Sequence, residues 1–290
     1  NLLKYDSIHG KFNAQIKSDQ NFIKINEKKI SYTQHTNIND IKWKNFNVDY
    51  VLECTGKFNS REQLLPHLKN GVKKVIVSAP CKMADKTIVF GVNHKRISKN
   101  DKIISAASCT TNCLAPVADV INSNFVILNG FMTTIHAFTS DQRILDNSHK
   151  DPRRARSASQ SIVPTSTGAS KAIGEIIPSL KGKLQGVAMR VPIANVSLIE
   201  FIFNVKKSIT INKINDALLK ASKKYPKNIL SVSKEKLVSI DFNHNVSSAI
   251  VDASLTNVMG NNMGKISAWY DNEWGFSNRM CDIAKYISKI

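Results

Sequence analysis

No stretch of this 290-residue chain approaches the ~20 consecutive apolar residues that a membrane-spanning helix requires. A helical membrane protein is therefore excluded. Cysteine is scarce and odd in number: Cys54, Cys81, Cys109, Cys113 and Cys281. Such a count in a long chain excludes a disulfide scaffold and points to a reducing, cytoplasmic compartment. Internal repeats and low-complexity linkers are also absent, which leaves one large or two ordinary globular domains. The opening residues Asn1-Leu2-Leu3-Lys4-Tyr5 lack the basic segment and apolar core of a signal peptide. Acidic residues are few: Asp+Glu number 22 against 41 Lys+Arg, a net charge of +19. That balance favours anionic partners, whether nucleic acid, phosphorylated metabolites or acidic surfaces. The lysines are scattered, and no basic stripe is interleaved with aromatics. Solvated surface lysine around a small-anion site is therefore preferred to a nucleic-acid face. With 42% hydrophobic and 22% charged residues, whole-chain disorder is excluded.

Read along its length, the chain changes character once. Phe22–Ile25 and Lys29–Tyr32 read as a hairpin around Asn26-Glu27-Lys28. Val48–Cys54 is a continuous apolar strand closed by Thr55-Gly56. A helix over Arg61–Lys69, capped by Asn59 or Ser60, and a buried strand Lys74–Ser78 follow. Thr87–Val92 and Lys102–Ala106 read as two more strands. Unbroken apolar strands alternating with a helix predict a parallel sheet covered on both faces. Beyond Ser108, a helix over Thr110–Asn122 and a central strand in Phe125–Phe138 are expected. Thr139–Ser161 has little period and much charge, the mark of a functional loop. Strands are expected at Val187–Arg190, Val196–Val205, Val238–Phe242 and Ile250–Leu255. Helices are expected at Gly168–Leu180, Ile214–Lys224 and Asn278–Ile290. The second half thus reads as α+β with a mostly antiparallel sheet.

The sharpest local feature is Ser105-Ala106-Ala107-Ser108-Cys109-Thr110-Thr111-Asn112-Cys113, where a strand gives way to a helix. Ser108 suits the N-cap. Cys109 then lies in the first turn, where free N–H groups and the helix dipole are expected to lower its thiol pKa. Cys113 lies one turn deeper. Two cysteines four apart also suit zinc, but no second Cys or His pair has matching spacing, and no metal site is expected. Two inert core thiols are the bland alternative. A thiolate nucleophile needs a base, and His136, at the end of the long apolar strand, is the candidate. Taken alone it reads more readily as a hydrogen-bonded structural histidine. The other six histidines have no comparable setting. Thr139, Arg190 and the helix start at Ser166-Thr167-Gly168 are anion-ligand types, each with a capping or surface reading beside it.

Taken together these motifs make the chain similar to the phosphorylating glyceraldehyde-3-phosphate dehydrogenases. The resemblance covers nearly the whole length. It is carried by Tyr5–Phe12, Glu53-Cys54-Thr55-Gly56, Ser78-Ala79-Pro80, Gly91-Val92-Asn93-His94, Ser108–Pro116, Ile135–Gln142, His149–Arg156, Ser166–Lys171, Arg190-Val191-Pro192 and Trp269–Arg279. It implies an α/β protein with a partial Rossmann-like dinucleotide-binding domain over 1–108, completed by a C-terminal helix over 273–290. The α+β catalytic domain would span 109–272. It further implies that Cys109 attacks the aldehyde of glyceraldehyde 3-phosphate and that His136 moves the proton. A thioester forms, and inorganic phosphate releases 1,3-bisphosphoglycerate. By the same resemblance Thr139 and Arg190 hold the substrate phosphate. Ser108, Thr110, Thr167 and Gly168 hold the attacking phosphate. Thr55, Gly56, Ser78 and Asn272 line the NAD site. The charged loop resembles one that reaches a neighbouring subunit's cofactor pocket in the family's homotetramer.

The chain departs from the family pattern in one large way. The strand, glycine-rich phosphate-binding turn and helix that open the family have no counterpart before Asn1. The expectation is an N-terminally truncated enzyme that binds a dinucleotide poorly. Thr36 stands where an adenine-side arginine is usual, and Phe276 replaces a common tyrosine. Asn147-Ser148 stand where NAD-restricted members often carry Leu-Pro, which leaves NADP open beside NAD. Three other functions stay open at this level. One is erythrose-4-phosphate dehydrogenase, suggested by Leu237–His244 and Trp274-Gly275-Phe276. The others are a basic nucleic-acid-binding protein and a hydrolytic Cys–His enzyme.

Overall fold

The computed structural model describes residues 1–290. The chain opens with two small exposed antiparallel sheets. One pairs β1 (Tyr5–Asp6) with β2 (Gly10–Lys11). The other is a meander of β3 (Ile16–Ser18), β4 (Phe22–Ile25) and β5 (Lys28–Ser31). Asn26 turns the β4–β5 hairpin at φ 50°, a conformation that Asn tolerates better than most residues.

Next come β6 (Tyr50–Glu53), α1 (Arg61–Lys69), β7 (Lys74–Val77), β8 (Lys86–Thr87) and β9 (Ile103–Ser105). All four strands are parallel, in the order β6-β7-β9-β8. Of the expected Thr87–Val92 strand only Thr87 extends the sheet. The remainder turns over at Gly91, and Asn93 accepts from the Val89 N–H and donates to the Thr87 carbonyl.

The second half runs α2 (Cys109–Phe125), β10 (Ile127–Ala137), β11 (Val163–Ser166), α3 (Ala169–Ile176), β12 (Leu184–Val191), β13 (Ser197–Val205), α4 (Ile211–Ser222), β14 (Leu230–Ser233), β15 (Ala249–Asp252), β16 (Asn257–Met259), β17 (Met263–Tyr270) and α5 (Trp274–Ile287). Its strands form one sheet in the order β11-β12-β10-β13-β17-β15-β14, with β16 also on β17. Pairing is antiparallel except for β10–β12 and β14–β15. The expected strand at Val238–Phe242 is instead a short 3₁₀ turn over Ser239–Phe242. The Asp241 carboxylate accepts from the Val238 N–H and closes the turn, and Ile240 lies exposed. A local cap thus overrides the β-like pattern.

Three cores follow from strand periodicity. On β7, Val75 and Val77 face α1 with Val51, Leu64 and Ile103. Ile76 faces the other way, joining Ile88, Ile104 and the α5 residues Met280, Ile283 and Ile287. The parallel sheet is therefore covered on both faces, as its unbroken apolar strands require. The largest core packs α2, α3 and α4 against one face of the second sheet through Leu114, Val117, Ile121, Ile173, Ile214, Phe201 and Phe203.

Candidate functional site

The site grows from the end of β9. Parallel register sets Glu53 beside Val77, and Val77 beside Ser105. The residues that follow these strands, Thr55-Gly56, Ser78 and Ser108-Cys109, therefore leave the sheet along one edge. The carboxyl edge of an open parallel sheet is where dinucleotides bind. Thr55 is held there by Glu53, whose Oε1 accepts from the Thr55 N–H at 2.9 Å and from its hydroxyl at 2.5 Å. Gly56 turns at φ 73° with open space where a Cβ would be. Behind Glu53 lies a buried relay that sequence reading missed. Trp43 Nε1 donates to His67 Nδ1 at 3.0 Å, and His67 Nε2 faces Glu53 Oε2 at 3.2 Å.

The chain leaves β9 through Ala106 and Ala107, both fully buried, with Ala107 at φ 60°. Ser108 then caps α2: its Oγ accepts from the Thr111 N–H at 3.1 Å. Cys109 begins the helix, half-buried, with its Sγ 3.4 Å from His136 Nε2. His136 is next to last in β10 and only 3% exposed. Parallel pairing of β10 with β12 sets Arg190 directly beside it. Arg190 Nη1 lies 2.6 Å from His136 Nδ1 and donates to the Ala137 carbonyl at 2.9 Å. The same carbonyl lies 2.7 Å from His136 Nδ1.

The electrostatics correct one expectation. Burial pushes the Cys109 thiol above its ordinary pKa. The Arg190 charge and the Thr110 and Cys109 N–H groups at the helix start pull it down, and burial wins. Burial and Arg190 together drive the His136 pKa down to about 3. At neutral pH the site therefore rests as a neutral thiol beside a neutral imidazole.

The other candidates are placed unevenly. Thr139 lies half-buried three residues beyond His136. The Thr110 hydroxyl turns inward, 2.9 Å from the Tyr270 hydroxyl, which also meets Thr134 Oγ1 at 2.9 Å. Both the Thr110 hydroxyl and its backbone N–H also face the Cys109 sulfur. Thr167 and Gly168 open α3, where Thr167 Oγ1 accepts from the Ala169 N–H. No hydrogen bond joins them to Cys109, His136 or Arg190. Asn272, just beyond β17, is buried, and its Oδ1 accepts from Ser197 Oγ at 2.8 Å. Ser197 Oγ accepts in turn from the Ala137 N–H at 3.1 Å, tying Asn272 to the strand of His136. Val196, just before it, is buried at φ 68°, a rare conformation for a β-branched residue. The charged stretch Phe138–Ile162 has neither helix nor strand. Its charges pair internally: Arg154 bonds Asp141 and Thr165, and Arg156 bonds Asp146.

Comparison with known proteins gives the family. The C-terminal domain of glyceraldehyde 3-phosphate dehydrogenase matches residues 108–272, and that family's NAD binding domain matches residues 1–61. The chain belongs to the glyceraldehyde-3-phosphate dehydrogenase family. It is 51% identical over 290 residues to glyceraldehyde-3-phosphate dehydrogenase 2 of Trichormus variabilis, covering 99% of this chain and 86% of the relative. It is 47% identical to glyceraldehyde-3-phosphate dehydrogenase 1 of Bacillus cereus and 48% identical to the Geobacillus stearothermophilus enzyme. Both matches cover 99% of this chain and 86% of the relative.

Within this dehydrogenase several site residues escaped sequence reading. Tyr270 and Thr134 gave a faint signal, as polar groups in apolar strands. Ser197 and the Trp43–His67–Glu53 relay gave none, because their partners are remote in sequence.

Proposed function

We propose how this chain carries out the family's reaction, the oxidation of glyceraldehyde 3-phosphate to 1,3-bisphosphoglycerate with NAD and inorganic phosphate. The observation that carries the proposal is the 3.4 Å approach of Cys109 Sγ to His136 Nε2 with Arg190 beside the ring.

His136 Nδ1 has two competing partners. If it donates to the Ala137 carbonyl, Nε2 presents a lone pair to the thiol proton. If it accepts from Arg190, Nε2 carries the proton instead. In the proposed cycle, Arg190 and Thr139 turn to the substrate phosphate, a pairing for which the guanidinium is suited. Nδ1 then donates to Ala137, and Nε2 takes the proton as Sγ attacks the aldehyde carbon. The new oxyanion meets the Cys109 N–H and the proton on Nε2. Residues Thr55, Gly56, Ser78 and Asn272 would hold NAD. Asn272 fits an amide ligand, since Ser197 occupies its Oδ1 and leaves Nδ2 to donate. Bound NAD supplies the hydride acceptor that turns the thiohemiacetal into a thioester. Phosphate held by the α2 start at Ser108 and Thr110 and by Thr167 and Gly168 attacks that thioester, and Sγ leaves.

We assign the cofactor to residues 1–108 with 273–290, and acyl transfer to 109–272. The five cysteines are free, which suits a cytoplasmic setting. Homotetramer formation is also part of the proposal, because the second face of the catalytic sheet exposes apolar side chains such as Phe131 and Ile202. The decisive experiment is steady-state turnover. Cys109→Ser should abolish it, and His136→Asn should lower kcat by about 10²–10⁴-fold. Full activity in Cys109→Ser would overturn the assignment.

A further inference from the structure

The turn that delivers Cys109 is held by a residue to which the mechanism gives no role. Ala107 sits at φ 60°, where a Cβ crowds the backbone and glycine is the usual occupant. Nothing about Ala107 itself favours that conformation, since its methyl is fully buried in the main core. What spans the turn is the Asn112 carboxamide. Its Nδ2 donates to the Ala106 carbonyl at 2.9 Å and to the Ser108 carbonyl at 2.9 Å, one on each side of Ala107. The two N–H bonds of the amide thereby tie the peptide unit just before Ala107 to the one just after Ser108, so they fix the backbone of Ala107 together with that of Ser108. The carboxamide is 2% exposed, and its Oδ1 is buried with no partner. A flipped amide would face its oxygen to two carbonyl oxygens, so the orientation is fixed by chemistry. Leaving an acceptor unpaired in the core is unfavourable. The Ser105 Oγ adds a third tie by accepting from the Ala107 N–H at 3.1 Å.

Cys109 is two residues beyond Ala107. Rotation about the Ala107 backbone swings the whole α2 start, with the Cys109 Sγ and the two N–H groups that face it. We propose that Asn112 is a positioning residue: its side chain bridges the carbonyls flanking Ala107, keeps that residue left-handed, and so holds the Cys109 sulfur against His136 Nε2. The inference rests on Cys109 being the nucleophile, which the Cys109→Ser variant tests separately.

The test is a double-mutant cycle on the full chain with Asn112→Ala and Ala107→Gly, read by two measurements. The first is the pH profile of Cys109 alkylation by iodoacetamide, with the labelled site identified by mass spectrometry. The second is kcat and KM for the aldehyde. Asn112→Ala should lower kcat by ~10–100-fold with little change in KM, the expected scale for a misplaced reacting group. It should also move the alkylation profile to higher pH, because the sulfur loses its N–H donors. Glycine adopts positive φ without strain, so Ala107→Gly should make Asn112→Ala at most a few-fold effect, a clear departure from additivity. If Asn112→Ala does not fold, Asn112→Ser carries the same comparison. Its hydroxyl keeps the bond to the carbonyl four residues back and loses the one to Ala106. A variant that only melts earlier, with unchanged kcat and alkylation profile, would overturn the proposal. So would equal losses with Ala and with Gly at position 107. Loss of alkylation in the parent chain would instead count against Cys109 as the nucleophile.

Discussion

At the scale of single residues, the site is a balance of burial against charge. A cysteine at a helix start is expected to be acidic. Here burial pushes the thiol up, while Arg190 opposes it. Burial, aided by the same arginine, holds His136 neutral. In the proposed cycle the thiolate is therefore generated when the substrate arrives, by proton transfer to Nε2. Two consequences follow for the enzyme without substrate. Alkylation of Cys109 should climb with pH through the ordinary thiol range and beyond, with no plateau on the acid side. Replacing Arg190 with Leu removes the positive neighbour that favours the thiolate, so the alkylation rate at pH 7.5 should fall, by up to roughly tenfold. Stopped-flow labelling at several pH values measures both, and a faster reaction in Arg190→Leu would refute the balance described.

At the scale of elements, register does the assembling. Parallel pairing of β10 and β12 brings His136 and Arg190 side by side, although 54 residues separate them. The central pairing of β13 and β17 also depends on close packing. Gly264 in β17 lies over Phe203, and a Cβ there would fall 2.6 Å from the ring and 3.1 Å from Ile209 Cδ1. The Phe203 ring is fully buried and has no room to withdraw. Gly264→Ala should therefore destabilise the chain by about 1–3 kcal/mol, read from urea unfolding. Unchanged stability would mean that the strand shifts freely. The loop Phe138–Ile162 shows the opposite strategy. It has no helix or strand, and holds its shape by ion pairs and side-chain bonds to β11.

Across the whole molecule, the most telling feature is what the large sheet leaves bare. Helices α2, α3 and α4 cover one face. On the other, Leu128, Phe131, Ile202 and Met259 are exposed, with Phe131 directly paired to Ile202. These exposed apolar side chains are where the proposed association between copies would form. Phe131→Asp together with Ile202→Asp should shift the chain to smaller species in light scattering. Cys109 alkylation should stay at its parental rate, because neither residue approaches the site. An unchanged mass would place the contact elsewhere.

The sequence by itself determined a good deal of this protein. Covalent neighbours and short periods sufficed for the helix over Arg61–Lys69, the unbroken strand Lys74–Val77, the Ser108 cap and the change from a parallel to a mostly antiparallel sheet. Those features depend on residues within a turn or two of one another. The Cys109 motif and the His136 strand end were equally visible, as local patterns. Tertiary structure alone decided the rest. It reversed the shift of the Cys109 thiol, because burial is a property of the surroundings and not of the helix start. It also linked Trp43 to His67 and Ser197 to Asn272. Hydrogen bonds between distant segments, and the desolvation that comes with them, have no local period from which they can be read.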